Sequence, residues 1–178
     1  MWEKERKVCN MQVVLENEAL KVTINSFGAE LASIRGKETD TEYLWNADAK
    51  FWKRSAPVLF PFVGSLKNKE YHYEGKTYSM GQHGFARDME FAVDVQTATE
   101  AWFSLRSNEE TKAKYPFEFI LKVGYELEGR NLTASIGVAF APEDGDSFME
   151  LYCCADSALY QTKRGGRNGY SIYEKTMN

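Results

Sequence analysis

Side chains able to do acid–base or ion-binding chemistry are sparse and unevenly placed in this chain. Its two histidines are His72, within Tyr71-His72-Tyr73, and His83, within Gln82-His83-Gly84-Phe85-Ala86-Arg87-Asp88. An imidazole donates, accepts or carries a proton near neutral pH, so either could serve general acid–base catalysis or hold a polar ligand. The plainer role for a His beside Gly84 and Phe85 is to cap a turn. Arg54, between Trp52 and Pro57, can lie as a surface cation over an aromatic ring, and Arg87-Asp88 reads as a local ion pair. The cysteines are Cys9, Cys153 and Cys154: an odd count, two of them adjacent, with no CxxC or Cys/His ligand spacing. They read as free thiols, with neither a disulfide framework nor a metal site, and no cofactor is expected.

The elements that must position these groups follow two patterns. From Met11 to about Leu132 apolar residues alternate with polar ones, the period of a half-buried strand. Leu20, Val22 and Ile24 alternate with Lys21, Thr23 and Asn25; Phe91, Val93 and Val95 form another run, Phe103 and Leu105 a third. The longest run is Phe117, Phe119, Leu121, Val123, Tyr125 and Leu127. Turn signals at Ser26-Phe27-Gly28, Gly36-Lys37, Glu74-Gly75-Lys76, Ser107-Asn108 and Gly129-Arg130-Asn131 separate the runs. Many short strands joined by turns predict an antiparallel sandwich or barrel.

After Pro142 the period changes. Phe148, Leu151, Tyr152, Ala155, Ala158, Leu159 and Thr162 share one face of an amphipathic helix. Ser147-Phe148-Met149-Glu150 fits a capping box at its start. Lys163 and Arg164 suit the negative end of its dipole, and Gly165-Gly166 stops it. Cys153 and Cys154 fall off its main apolar face, and a strand over 170–173 follows. At the junction, Leu132, Ala134, Ile136, Val138 and Phe140 alternate with the small residues Thr133, Ser135, Gly137 and Ala139. A strand there can pair back on 117–127 through Gly129-Arg130-Asn131.

With 178 residues, 43% hydrophobic and 14% aromatic, the chain can build a core. A formal net charge of −4 argues against nucleic acid and anionic membrane as partners. No run approaches the ~18 apolar residues that span a bilayer. The charged start, Met1 to Lys7, lacks a secretory signal, so a cytoplasmic location is expected.

Three phrases carry a family resemblance. They are Asn25-Ser26-Phe27-Gly28-Ala29-Glu30-Leu31; Tyr43-Leu44-Trp45-Asn46 with Phe51-Trp52-Lys53-Arg54-Ser55-Ala56-Pro57-Val58-Leu59-Phe60-Pro61; and Gln82 through Asp88. With Glu110-Thr111 and Tyr115-Pro116-Phe117, their order and spacing resemble the aldose 1-epimerase (galactose mutarotase-like) family over about 12–132. The resemblance makes Met11 the expected native start, with residues 1–11 lying before the matched stretch and 1–10 a non-family extension, and an aldohexose the partner. Mutarotation needs an acid and a base at different points of a sugar ring. In the family a first His and a basic residue hold the sugar, a second His is the acid and a late Glu the base. His83 matches the first His, and Arg54 and Arg87 are candidates for the basic contacts. Trp45, Phe51, Trp52, Phe60 and Phe62 can stack on a sugar or fill the core. His72 does not match the second His, which, like the Glu, belongs to strands the family places after residue 132. Ser65 stands where a basic residue often follows Gly64.

The stretch 133–178 resembles the end of a GGDEF (diguanylate cyclase) domain, on Ala155-Asp156-Ser157-Ala158-Leu159-Tyr160 and Lys163-Arg164-Gly165-Gly166-Arg167-Asn168. The resemblance implies triphosphate contacts at Lys163 and Arg167. The metal-binding acids of that domain precede the matched stretch, however, which leaves both residues as helix-end cations. The expected fold is mainly β: an incomplete galactose mutarotase-like antiparallel sandwich with a C-terminal amphipathic helix and short strand. The expected function is an aldose 1-epimerase-like protein, binding or interconverting sugar anomers and catalytically impaired. The rival readings are a non-catalytic carbohydrate-binding module, a nucleotide-signalling remnant and a fusion product without function. An exposed sheet edge is expected to favour self-association.

Overall fold

The computed structural model describes residues 11–164 and 169–174. The alternating N-terminal runs form a meander of β1 (Gln12–Glu16), β2 (Leu20–Asn25), β3 (Glu30–Gly36) and β4 (Thr41–Glu42), a four-stranded antiparallel sheet in that order. Leu20, Val22 and Ile24 turn inward as the pattern requires, while Lys21 faces solvent. A small hairpin, β5 (Glu70–Tyr73) and β6 (Lys76–Ser79), follows.

The second sheet comprises β7 (Ala92–Gln96), β8 (Glu100–Arg106), β9 (Glu118–Glu128), β10 (Asn131–Ala141) and β11 (Gly169–Ile172), ordered β11-β10-β9-β8-β7. Between β8 and β9 lies the one-turn helix α1 (Glu109–Lys112), capped reciprocally by Asn108 and Thr111. The two sheets enclose one core, where Val13, Leu15, Val22 and Ile24 meet Phe103, Phe119, Leu121 and Val123. The Phe91–Val95 run departs from simple alternation. Phe91 is buried, yet a bulge between Val93 and Val95 turns the strand outward and leaves Val95 40% exposed.

The junction expected near residue 132 is a continuous hairpin: β10 pairs with β9 from Asn131↔Glu128 to Ala141↔Glu118. Period-two alternation predicts one buried face for β9, but both faces are buried. The reason is α2 (Phe148–Arg164), which covers the outer face of this sheet through Leu151, Ala155, Ala158, Leu159 and Thr162. Each of the two leucines buried this way contributes roughly 1.5–3 kcal/mol. The expected cap is present: the Glu150 carboxylate accepts from Ser147 N at 2.9 Å, and Glu150 N donates to Ser147 Oγ at 3.2 Å. Cys153 is exposed, whereas Cys154 is partly buried against the small cluster under α2 and donates to the Asp144 carbonyl. After α2 the chain returns as β11, parallel to β10. No described helix is long and apolar enough to cross a membrane.

Two contacts fix α2 on the sheet. Gly137 of β10 lies so close beneath the helix that a Cβ would sit 2.4 Å from the Ala155 carbonyl oxygen. Lys122 of β9, 3% exposed, pairs with Asp156 of α2 at 2.7 Å and stacks over the Tyr152 ring at 3.7 Å. Gly137→Val should therefore destabilise the chain by about 1–3 kcal/mol. Thermal unfolding of the variant checks this, and an unchanged midpoint would show that the helix does not need the close approach.

Candidate functional site

Glu30, at the start of β3, is the buried hub of the region holding the candidate residues. It is 5% exposed, and its Oε1 accepts from the backbone of Ser55 at 2.8 Å and Ala56 at 3.1 Å. Its Oε2 accepts from Arg54 Nη1 at 2.9 Å. Arg54 Nη2 then donates to the Arg87 carbonyl at 2.7 Å and to Asp88 Oδ1 at 2.5 Å. Three of the five guanidinium donors of Arg54 are thus committed inside the protein. Arg87 Nη2 donates to the Gln82 carbonyl at 2.9 Å, and its Nε faces Asp88 Oδ2 at 3.5 Å, the local pair expected from sequence. One carboxylate in this way ties the 54–56 loop to the 82–88 loop.

His83 sits in that second loop with φ +67, a conformation rare for a residue bearing a side chain. Two bonds to Gly64 hold it: His83 N donates to the Gly64 carbonyl at 2.8 Å, and His83 Nδ1 accepts from Gly64 N at 3.0 Å. Because Nδ1 must offer a lone pair, the neutral ring carries its proton on Nε2. Among the described residues no hydrogen bond engages Nε2. The neighbouring Gly84 has φ +74, and a Cβ there would lie 2.0 Å from the Phe60 carbonyl oxygen. That oxygen accepts from Phe85 N at 2.9 Å, so the 60–64 and 82–86 loops lie main chain against main chain.

The aromatic candidates divide in two. Phe60 and Phe62 belong to the core, where Phe60 contacts Phe85, Phe119 and Phe140 and Phe62 contacts Tyr71 and Tyr115. Trp45, Phe51 and Trp52 are exposed, with Trp45 Nε1 bonded to the Trp52 carbonyl at 2.8 Å. His72 lies exposed on the β5–β6 hairpin against Thr77. Tyr125 from β9 reaches across the core and donates to the Ala29 carbonyl at 2.7 Å, beside Glu30. Burial first, then the Glu30 carboxylate, raises its phenol pKa above the ordinary range. A cavity of about 580 Å³ adjoins the loop, lined by Gly81, Gly84, Asp88, Glu110, Lys69 and Lys114 but not by His83. Lys163 is in the last turn of α2, and Arg167 lies outside the described residues.

Sequence reasoning quoted the phrase containing Glu30 but gave that residue no role. The available signal was an acid at the head of a strand that opens Glu30-Leu31-Ala32. It also passed over Gly64, whose backbone orients the imidazole.

Comparison with known proteins assigns the fold to a family. The family model for aldose 1-epimerase matches residues 11–140, and the chain belongs to that family. The protein LacX of Lactococcus lactis is 35% identical over 133 residues, 72% of this chain and 44% of LacX. A galactose mutarotase related enzyme from Lactobacillus acidophilus superposes with a TM-score of 0.74 at 45% identity, covering 75% of this chain and 45% of that one. A galactose mutarotase-like protein from Lactobacillus casei gives 0.70 at 40% identity, covering 72% and 44%. The chain therefore spans less than half the length of these relatives. A second family model, the GGDEF domain of diguanylate cyclases, matches residues 120–169. In that region the chain is 49% identical over 47 residues to the bifunctional diguanylate cyclase/cyclic di-GMP phosphodiesterase MucR of Pseudomonas aeruginosa, covering 26% of this chain and 7% of MucR. Both family models include residues 120–140, the β9–β10 hairpin.

The commitments of Arg54 yield a prediction. Arg54→Met would leave the Glu30 carboxylate buried without its counter-charge, at a cost of about 3–5 kcal/mol. Adding Glu30→Gln should recover part of that loss. Urea unfolding of the single and double variants measures both, and a single variant as stable as the parent would remove Glu30 from the centre of the region.

Proposed function

We propose that this chain binds an aldohexose through His83 and interconverts its anomers far more slowly than an epimerase possessing both proton-transfer groups. The reading rests on the clasp between His83 and Gly64. With Nδ1 occupied, the imidazole offers Nε2–H as a donor suited to a sugar hydroxyl or ring oxygen. Arg54 and Arg87 act one step back in this scheme. They hold the 82–88 loop so that the imidazole keeps its unusual backbone, and the exposed Trp45, Phe51 and Trp52 supply faces on which a pyranose can stack.

Turnover requires a second titrating group opposed to the first. The family's acid His and base Glu have no counterpart by motif within these 178 residues. Losing a general acid or base costs roughly 10²- to 10⁴-fold each. The GGDEF-like segment contributes packing in this reading. Asp156 of its motif is paired with Lys122, and Ala155 and Leu159 lie against Gly137.

Thermal unfolding with galactose or glucose tests the proposal. A sugar present at a hundredfold excess over its dissociation constant should stabilise the chain by about 2.7 kcal/mol. His83→Ala should abolish that shift, polarimetry of fresh α-anomer should run near the buffer rate, and GTP should leave unfolding unchanged with or without Lys163→Ala. An absent shift at saturating sugar would defeat the binding claim; a rapid optical change would defeat the claim of slow turnover.

A further inference from the structure

We propose that β11 is a self-association edge through which two copies of this chain join their five-stranded sheets. Among the described residues six strands present an outer edge: β1, β4, β5, β6, β7 and β11. The first five each carry a charge, at Glu16, Glu42, Glu70, Lys76 and Asp94 respectively, and β7 is also bulged. Charges and bulges are the usual means by which soluble proteins block strand addition. β11 is Gly-Tyr-Ser-Ile, with no charge and no proline.

The side chains of β11 match the edge. Tyr170 pairs in register with Ile136 and Ile172 with Val138, so both share the inner, apolar face of the sheet. Tyr170 is 76% exposed and Ile172 51% exposed. They border a groove of about 430 Å³ whose other walls include Val58, Phe60, Val63, Ile136, Val138 and Phe140. Ser171 faces the other way and is tied to Thr162 of α2 at 2.7 Å, which holds the strand in place beneath the helix.

A second copy fits this edge for a specific reason. An antiparallel pairing about a dyad at Ser171 sets Tyr170 of one copy opposite Ile172 of the other, twice over, on the same face. The strand is therefore complementary to itself, and the absence of charge removes the like-charge penalty that copies of the other five edges would meet. A four-residue pairing with its adjoining groove falls below the ~1,200 Å² typical of stable interfaces, so the dimer should form at micromolar rather than nanomolar concentration.

Sedimentation equilibrium of the full chain from about 1 to 200 µM, with hydrogen exchange at the same concentrations, tests the proposal. The expected result is a monomer–dimer equilibrium in which added protection on concentration falls on amides 169–172. Ile172→Lys, which puts an ammonium into the groove, should weaken the dimer by at least about tenfold while leaving the far-ultraviolet circular dichroism of α2 unchanged. A monomer throughout the range would overturn the proposal. So would a dimer indifferent to Ile172→Lys, or one whose protection appears at the aromatic loop 43–52. Capture of an added β-strand peptide by a chain that stays monomeric would assign the edge to a different partner.

Discussion

The pairing of β9 with β10 is the constraint on which the rest of the structure depends. It runs without a break from Asn131↔Glu128 to Ala141↔Glu118, and it places apolar and small residues on both faces of the strands at once. Such a hairpin cannot stand half-covered. Its inner face is covered by the four-stranded sheet, through Val13, Val22 and Ile24 against Phe119, Leu121 and Val123. Its outer face is covered by α2. Removing either cover would expose a contiguous apolar surface, which a soluble chain rarely tolerates. The hairpin is also where the two family matches overlap, over residues 120–140.

That shared element joins the stretches matched by the two family models in one packed unit. The outer face of β9 carries Lys122, a residue that would be costly to bury alone. Asp156 of α2 supplies its counter-charge and Tyr152 its aromatic face. The close approach at Gly137 lets the helix backbone come down far enough for both contacts. On the opposite side of the sandwich, Glu30 plays an analogous part for the loops. One buried carboxylate gathers Arg54, Ser55 and Ala56, and through Arg54 it fixes the main chain at Arg87, in the loop that carries His83. The region around the imidazole is thus set by ion pairs and hydrogen bonds inside the protein.

Much of the fold was legible because it is written in local patterns. The alternation of Leu20, Val22 and Ile24, the turn at Gly129-Arg130-Asn131 and the Ser147–Glu150 cap each depend on neighbours in sequence, and each appears where the pattern puts it. What escaped depends on partners far along the chain. Lys122 reads as the exposed position of a half-buried strand until α2, more than twenty residues later, is laid upon it. Val95 breaks its alternation because of a bulge, which leaves no local signature. The candidate site was legible in part. His83 stands out through its phrase, but its tautomer depends on Gly64 and its surroundings on Glu30, contacts that spacing alone does not reveal. Arg54, readable as a surface cation or a ligand contact, is bonded to Glu30, the Arg87 carbonyl and Asp88, partners that no local pattern names.

The most direct test of one cooperative unit is native-state hydrogen exchange, read residue by residue with increasing denaturant. If the hairpin unites the two segments, amides of β10 and α2 should exchange only by the same global opening that exposes β2 and β9. The contrary result is a chain in which residues 131–164 exchange through a separate, much lower-energy opening while β1–β9 remain protected, which would mean the C-terminal segment is merely appended.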